Sequence, residues 1–317
     1  MKLIYLGSGE FGIESLNALA ASQQDLALVV TQAPHPAGRG RKPRSTPVAR
    51  WAKDHSVEFI EVEDANTPEQ IARIAQYQPD LIVVIAFGQK ISNELMNLPP
   101  KGAINVHASL LPKYRGAAPI NWAIINGETK TGVSIITLDE KMDAGLVLGQ
   151  AKIDITPDET AGQLHDKLAR IAPPLLIDKI NKIAAGTAQY TEQDHAKVTQ
   201  APKLKKQNGF IDFTEPADSL ERKIRGFSPW PGASAIYASK ETGKQQRVLI
   251  AMAQVVETDN PAGLPAGVLD DNLNIICGQN ALHITKIKPA DGALMPFKDF
   301  VNGRQTHPGD KFTKIED

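Results

Sequence analysis

The first half of the chain alternates short apolar strands with helical segments, and this alternation constrains the fold more than any other feature of the sequence. The strand-like runs are rich in β-branched residues and almost wholly apolar, which is typical of parallel strands buried on both faces. Apolar residues at helical spacing lie between several of them, as over Ile13–Ala21 and Pro68–Gln76. The predicted strands are Leu3–Leu6, Leu26–Thr31, Val57–Ile60, Leu81–Ile85, Ala103–Val106 and Val133–Leu138. This pattern predicts an α/β domain with a doubly wound, mostly parallel sheet and right-handed crossovers.

The pattern changes after the first half. Residues 159–184 have the apolar spacing of a long helix, but Pro173 and Pro174 interrupt it, so we predict two helices there. Residues 185–207 are polar and weakly periodic and are predicted to form a linker. Beyond them, short apolar runs alternate with Gly, Pro and Asn turns, and one helix is predicted over Ala217–Arg225. The predicted strands of this region are Phe210–Phe213, Ala235–Tyr237, Val248–Val256, Gly267–Leu269, Asn274–Cys277 and Ala281–Lys286.

These elements predict two domains, as expected for 317 residues. Residues 1–184 form the Rossmann-like α/β domain, 185–207 the linker, and 208–317 a smaller β-barrel of the OB-like kind. A single cysteine, Cys277, excludes an intramolecular disulfide and a cysteine-based zinc site, and its apolar neighbours predict a buried core thiol. The N-terminal apolar run is too short for a signal peptide or a membrane span, so we expect a cytoplasmic protein with no membrane partner.

One motif resembles a nucleotide-binding turn, but the end of the second strand argues against that function. Gly7, Gly9 and Gly12 match G-x-G-x-x-G after a strand and before a helix, which is the context of a dinucleotide-binding turn. In such a site the second strand ends in a carboxylate that binds a ribose hydroxyl, whereas here it ends in Thr31 and Gln32. We therefore interpret the glycines as a tight strand-to-helix turn and expect no NAD.

The residues with the most chemical content lie at and after the end of the strand Ala103–Val106. Asn105 and His107 lie two positions apart and should point to one side, at the carboxyl end of a strand, where open parallel sheets bind ligands. Asp143 follows the next predicted strand and reaches the same cleft if the two strands are neighbours. This set suits attack on a carbonyl group: the amide donates to the developing oxyanion, the imidazole exchanges protons, and the carboxylate orients the imidazole. Ser109 lacks the G-x-S-x-G surroundings of a hydrolase nucleophile, so we interpret its hydroxyl as stabilising the loop.

A family resemblance rests on this stretch. NVHASLLPKYRGAAP (105–119), followed after a strand by MDAG (142–145), resembles the 10-formyltetrahydrofolate-dependent formyltransferases. The resemblance implies that Asn105, His107 and Asp143 are the catalytic set. It also implies that the folate-binding loop falls on Ser109, Leu110, Leu111 and Pro112, that 10-formyltetrahydrofolate is the formyl donor, and that tetrahydrofolate is released. We expect no metal.

Within this family the chain is similar to the branch that acts on methionyl-tRNA. PAGRGRK (36–42) resembles a loop inserted after the second strand, FSPWPG (227–232) a motif that opens the C-terminal domain, and NGR with PGD (302–310) its ending. This similarity implies initiator methionyl-tRNA as the acceptor, N-formylmethionyl-tRNA as the product for translation initiation, and a C-terminal domain that binds tRNA. We expect a monomer.

The charge distribution supports an RNA substrate only locally. With 35 basic and 36 acidic residues the chain has a net charge of −1 and no global basic field. However, residues 26–53 contain no acidic residue and six basic ones, and arginines in such a loop can bind phosphates or base edges. We predict that Arg39, Arg41 and Lys42 contact the tRNA.

One departure and three alternatives remain open at this point. The family commonly has D-x-G-D after the catalytic strand, whereas Leu146 stands in place of the second Asp. The first alternative is a folate-dependent formyltransferase that acts on an amino-sugar nucleotide, against which the basic loop and C-terminal motifs argue. The second is a non-catalytic RNA-binding protein on the same scaffold, against which the intact Asn105, His107 and Asp143 argue. The third is an NAD-dependent enzyme, against which the missing carboxylate at the end of the second strand argues.

Overall fold

The structure, a computed structural model, describes residues 1–37, 42–260 and 262–316. The described chain divides into two compact units, each with its own buried apolar core. The first unit comprises Met1–Pro119, Lys130–Asp154 and His165–Ala201, and the second comprises Ile120–Thr129, Ile155–Leu164 and Pro202–Asp317.

The elements up to residue 184 mostly alternate between strand and helix, except that β2 to β4 and β8 to β9 follow one another directly. The strands are β1 (Lys2–Gly7), β2 (Asp25–Gln32), β3 (His35–Ala37), β4 (Lys42–Arg44), β5 (Phe59–Val62), β6 (Leu81–Ile85), β7 (Ala103–His107), β8 (Lys130–Thr137) and β9 (Val147–Asp154). The helices are α1 (Ile13–Ala20), α2 (Pro47–Asp54), α3 (Pro68–Ala75), α4 (Asn93–Met96), α5 (Pro119–Ile125) and α6 (Ala161–Ala184). Short 3₁₀ turns lie at Glu10–Gly12, His195–Lys197 and Lys206–Gly209.

The main sheet of the first unit is mostly parallel, in the order β5-β2-β1-β6-β7-β8-β9. The strands from β5 to β7 in this order pair in parallel, which confirms the predicted α/β class. β8 runs antiparallel to β7, and β9 runs antiparallel to β8. The sequence pattern does not predict β9, because Leu148 is the one buried residue of this edge strand, which lacks the continuous apolar run of the inner strands.

Two helices begin with the same local signal. Thr46 precedes Pro47 at the start of α2, and Thr67 precedes Pro68 at the start of α3. Each threonine hydroxyl accepts a hydrogen bond from a backbone N–H of the first turn, at 3.0 Å in α2 and 3.3 Å in α3. Proline suits the first helical position because its missing N–H would have no partner there, so the Thr-Pro pair fixes where each helix starts.

The glycine turn after β1 closes around a buried tyrosine. A Cβ placed on Gly12 would lie 1.8 Å from the hydroxyl oxygen of Tyr5, and one on Gly7 would lie 2.5 Å from it. Tyr5 is fully buried, and this burial raises the pKa of its hydroxyl. The turn's amides of Ser8 and Gly9 donate to the Ala86 carbonyl at 3.2 and 3.3 Å, so they are not directed at a pyrophosphate. Close packing therefore accounts for glycine at these positions.

The long helix α6 is a correction to the prediction of two helices. It continues from Ala161 to Ala184 with Pro173 and Pro174 inside it. A proline inside a helix costs about 3 kcal/mol, because it removes an N–H and clashes with the preceding turn. Leu168, Ala172, Leu176 and Ile180 recur every four residues and are all 0% exposed. This apolar stripe continues across both prolines, and its burial offsets their cost.

No helix in the described ranges is both long and apolar enough to cross a membrane.

The second unit carries an antiparallel barrel that is nearly closed, as predicted. Its strands are β10 (Ala233–Ala238), β11 (Gln245–Val256), β12 (Ile275–Ile276), β13 (Ala281–Pro289), β14 (Met295–Pro296) and β15 (Lys311–Thr313), with helices α7 (Ala217–Gly226) and α8 (Phe297–Arg304). The order is β12-β13-β11-β10-β15, and β14 pairs with β13. Residues 268 and 269 form single bridges to Lys311 and Ile275, which link the two outer strands of this order.

Two predicted strands of this region are wrong. Phe210–Phe213 and Gly267–Leu269 form only isolated bridges to neighbouring strands. These segments are apolar because they pack in the core of the second unit, as Phe213 and Leu269 do, although they do not form a continuous hydrogen-bonded ladder with a neighbouring strand. The prediction of a buried thiol at Cys277 is confirmed, and desolvation raises the pKa of that thiol to about 12.

Candidate active site

Two polar side chains lie at the carboxyl end of β7. Asn105 and His107 alternate with the buried Val106, so both leave the same face of the strand. His107 ends the strand and pairs in register with Ser134 of β8. His107 is itself buried, with 6% of its surface exposed. A strand end of this kind positions side chains through the sheet and does not depend on a flexible loop.

Asp143 comes to the same place from the turn between β8 and β9. Its Oδ1 accepts a hydrogen bond from Asn105 Nδ2 at 3.4 Å and lies 3.6 Å from His107 Nδ1. Its side chain is 11% exposed. The predicted convergence of an amide, an imidazole and a carboxylate is therefore present in the structure. One carboxylate oxygen serves as the common neighbour of the other two groups.

The backbone of the Asp143 turn adopts a special conformation. Asp143 has φ 54°, in the left-handed region that Asp and Asn tolerate better than most residues. Its second carboxylate oxygen accepts a hydrogen bond from the Gly116 amide at 2.9 Å. A Cβ on Gly145 would lie 1.8 Å from the Thr137 carbonyl oxygen, so this position requires glycine. These contacts hold the carboxylate in one orientation.

The hydrogen bonds of His107 identify its tautomer. Nε2 lies 2.9 Å from the Tyr114 carbonyl oxygen, which can only accept, so Nε2 carries a hydrogen and donates it. In the neutral ring Nδ1 then has the free lone pair, and this atom faces Asp143. A proton that arrives at Nδ1 makes an ion pair with the carboxylate. The geometry thus suits a base that accepts a proton on the side facing Asp143.

The loop after β7 is held by an internal hydrogen-bond network. Ser109 is fully buried, and its hydroxyl donates to the Lys113 carbonyl at 2.6 Å. Ser134 of β8 donates to the Ser109 carbonyl at 2.7 Å and accepts from the Leu111 amide at 3.0 Å. Leu111 is buried, whereas Leu110 and Pro112 are half-buried. The Ser109 hydroxyl thus bonds to its own loop, as the interpretation of this residue requires.

Sequence reasoning missed two buried polar residues beside this site, Arg115 and Gln193. The Arg115 guanidinium donates to Gln193 Oε1 through Nε at 3.1 Å and through NH2 at 2.7 Å. Gln193 in turn donates to the carbonyls of Asp143 and Gly145. Local sequence carries no signal for Gln193, because its partners lie 48 to 78 positions away and it stands in a polar stretch.

The predicted RNA-binding residues are only partly covered by the structure. Arg39 and Arg41 lie outside the described residues. Lys42 begins β4, which pairs antiparallel with β3. Arg44 at the end of β4 is exposed, and Arg50 in α2 donates to the Ser45 carbonyl at 2.8 Å. In the described part of the chain, no group of three or more His, Cys, Asp or Glu side chains is placed to hold a metal ion.

Comparison with known proteins identifies the family of the chain. Residues 1–180 match the family described as formyl transferase, and residues 203–305 match the family described as formyl transferase, C-terminal domain. The two matches together span most of the chain.

Full-length relatives share one name. A methionyl-tRNA formyltransferase of Acetivibrio thermocellus is 37% identical over 98% of this chain and 99% of its own length. One of Desulfotalea psychrophila is 39% identical over 96% of this chain and 93% of its own length. Among solved structures, an N-formyltransferase from Helicobacter canadensis, in complex with folinic acid and dTDP-3-aminofucose, superposes with a TM-score of 0.61. At 17% identity over 90% of this chain and 99% of that one, it shows a shared fold. The chain belongs to the formyltransferase family, in its methionyl-tRNA formyltransferase branch.

Proposed function

We propose that the protein transfers the formyl group of 10-formyltetrahydrofolate to the amino group of initiator methionyl-tRNA, giving N-formylmethionyl-tRNA for translation initiation and tetrahydrofolate. The observation that carries this proposal is the convergence of Asn105 and His107 on one oxygen of Asp143, at 3.4 and 3.6 Å. Together these groups supply what attack on a formyl carbonyl needs: a hydrogen-bond donor, a proton acceptor and a carboxylate. Two full-length relatives named methionyl-tRNA formyltransferase support the choice of acceptor.

The chemical step is an acyl transfer between two nitrogens. The acceptor amine forms a bond to the formyl carbon, and Asn105 Nδ2 donates a hydrogen bond to the oxygen that gains charge. His107 Nδ1 takes the proton of the attacking nitrogen, and Asp143 stabilises the imidazolium that results. The bond from the formyl carbon to N10 of the folate then breaks as N10 takes up a proton. One N–H bond is exchanged for another, so no proton is gained or lost overall.

We assign the folate contact to the loop of Ser109, Leu110, Leu111 and Pro112. Gln150 of β9 donates to the Leu111 carbonyl at 2.9 Å and to the Ser134 hydroxyl at 2.8 Å. This network fixes the loop directly after His107, so a donor bound along it meets the catalytic groups. The folinic acid in the Helicobacter canadensis structure supports a folate donor. Neither a metal ion nor NAD takes part in the proposed step.

We assign the tRNA contact to the basic stretch and the C-terminal domain. Arg39, Arg41 and Lys42 lie in the acid-free residues 26–53, and basic side chains suit phosphates and unpaired bases. The proposed organisation is a catalytic domain (1–184), a linker (185–207) and a tRNA-binding barrel (208–317). We expect the protein to work as a cytoplasmic monomer.

Replacing Arg39 and Arg41 together by glutamine is expected to raise the KM for methionyl-tRNA by about tenfold or more, because two phosphate or base contacts of about 1 kcal/mol each are lost. The KM for 10-formyltetrahydrofolate should change by less than about twofold. Steady-state kinetics with each substrate varied in turn separates the two constants. The matched control is Arg73→Gln in α3, outside the basic stretch. A rise in the folate KM instead would assign the loop to the other substrate.

The remaining alternative acceptor is an amino-sugar nucleotide. A structural neighbour holds such a ligand, but at 17% identity it is more distant than the relatives named methionyl-tRNA formyltransferase, which are 37% and 39% identical over nearly the full chain. We expect labelled formyl groups to pass from 10-formyltetrahydrofolate to methionyl-tRNA with a kcat/KM at least about 10³-fold above that for dTDP-amino sugars. That ratio corresponds to about 4 kcal/mol of transition-state discrimination.

Two outcomes of this acceptor assay would decide against the proposal. Comparable transfer to the sugar nucleotide would remove the argument for tRNA. Absence of transfer to either acceptor, with tRNA binding retained, would favour a non-catalytic RNA-binding protein.

A further inference from the structure

We propose that Gln193 is a positioning residue that holds the Asp143 turn in its reactive geometry. The inference rests on the proposed formyl transfer, since it concerns the same site, but its structural part is measurable without the reaction. We call residues 191–201 the strap. The sequence predicts this segment as part of a polar linker, and it belongs to the first unit.

Gln193 uses both ends of its amide. Its Nε2 donates to the carbonyl oxygen of Asp143 at 2.8 Å and to that of Gly145 at 2.8 Å. Its Oε1 accepts two hydrogen bonds from the Arg115 guanidinium, at 3.1 and 2.7 Å. Gln193 is 6% exposed and Arg115 is 8% exposed, so water competes little for these bonds. A single side chain thus connects the loop after β7 with the turn that carries the carboxylate.

The strap is anchored on either side of Gln193. Thr191 and Val147 exchange two backbone hydrogen bonds, at 2.8 and 2.9 Å. At the other end of the strap, the backbone amide of Arg115 donates to the Thr199 carbonyl at 2.9 Å, and the backbone carbonyl of Arg115 accepts from the Ala201 amide at 2.7 Å. A Cβ on Gly116 would lie 2.6 Å from the Ala201 carbonyl oxygen, which shows how closely the strap approaches this loop. Gln193 is therefore held in place before it contacts the turn.

The turn needs such support because its conformation is not the most stable one for an isolated chain. Asp143 has φ 54°, a left-handed conformation that is unfavourable for a non-glycine residue, although less so for Asp than for most. Gln193 binds the carbonyls on both sides of Ala144 and so fixes the path of the backbone through Asp143. A misplacement of about 1 Å at a catalytic group can cost about 100-fold in rate. Gln193 thus acts through Asp143 and does not touch the substrate.

The first test compares two variants of Gln193. Gln193→Leu removes both ends of the amide, whereas Gln193→Glu keeps an acceptor for Arg115 and loses the donor to the two carbonyls. We expect both to lower kcat by about 10- to 100-fold with each KM changed by less than about threefold. Gln24→Leu is the matched control: Gln24 also joins distant segments, the N-terminus and Asn181, and its variant should keep kcat within about twofold.

A double-mutant cycle distinguishes positioning of Asp143 from general damage. If Gln193 acts through Asp143, adding Gln193→Leu to Asp143→Asn should lower kcat by less than about threefold further. If Gln193→Leu lowered kcat in the Asp143→Asn background by as large a factor as it does in the wild-type protein, the inference would be overturned. So would a Gln193→Glu variant with the wild-type kcat, because the donor to the carbonyls would then be dispensable.

Hydrogen exchange tests the structural part independently of any reaction. The Gly116 amide is bonded to the Asp143 carboxylate, so its exchange reports the position of that side chain. We expect Gln193→Leu to accelerate exchange at Gly116 by about tenfold or more, while amides of β6 keep their protection. Unchanged exchange at Gly116 would overturn the inference. If the wild-type protein showed no formyl transfer but Gln193→Leu still accelerated exchange at Gly116, the proposed function would be rejected and the positioning role would stand.

Discussion

Replacing His107 by glutamine is expected to lower kcat for formyl transfer by about 10²- to 10⁴-fold, the range that a general acid–base group contributes. The glutamine amide can still donate to the Tyr114 carbonyl, which His107 Nε2 contacts at 2.9 Å, so the loop keeps its anchor. It offers no basic nitrogen beside Asp143, where Nδ1 now lies 3.6 Å from Oδ1. The attacking amine then has no proton acceptor. Single-turnover kinetics with a labelled formyl donor isolates this step from product release.

Two further variants make the His107 experiment decisive. His107→Ala removes the ring and the bond to Tyr114, and it should be at least as slow as His107→Gln. His283→Asn is the matched control, because His283 bonds to Asn274 in the second unit, and it should keep kcat within about twofold. A His107→Gln enzyme at near wild-type rate would mean that the ring anchors the loop and transfers no proton.

Much of the site is readable from the sequence, because its geometry follows from strand alternation. Asn105 and His107 share a face by the period of two, whatever the rest of the fold does. The prediction that Asp143 reaches this site required in addition that the strand before Asp143 neighbours β7. The structure meets this condition, because β8 pairs with β7. That pairing is antiparallel, which the sequence pattern did not indicate.

The parts that could not be predicted depend on contacts between distant residues. Pro173 and Pro174 break a helix by local rules, yet a buried stripe of four-residue spacing keeps α6 continuous. Gln193 stands in a segment with linker-like composition, and its importance becomes visible only when its partners near Asp143 are known. Local propensity is a weak indicator wherever tertiary burial outweighs it.

The second large effect is expected for Asp143→Asn, which should lower kcat by about 10²- to 10³-fold with little loss of stability. Asparagine accepts the left-handed conformation at φ 54°, and its oxygen can still accept from the Gly116 amide. Its NH₂ group then replaces the oxygen that lies 3.4 Å from Asn105 Nδ2 and 3.6 Å from His107 Nδ1. The NH₂ group faces the Asn105 donor and can donate to the His107 Nδ1 lone pair that has to accept the proton. The negative charge that stabilises an imidazolium is also gone.

Asp139→Asn provides the comparison, because Asp139 lies in the same turn and is exposed, and its Oδ1 accepts a local bond from the Lys141 amide. It should keep kcat within about twofold. Asp143→Ala separates charge from conformation: it lacks the carboxylate and is also strained at positive φ, so we expect a similar kcat and a free energy of unfolding lower by about 1 kcal/mol. Thermal unfolding of the three variants measures that difference. If Asp143→Asn kept the wild-type kcat, the carboxylate charge would be unnecessary, and His107 would have to accept the proton unaided.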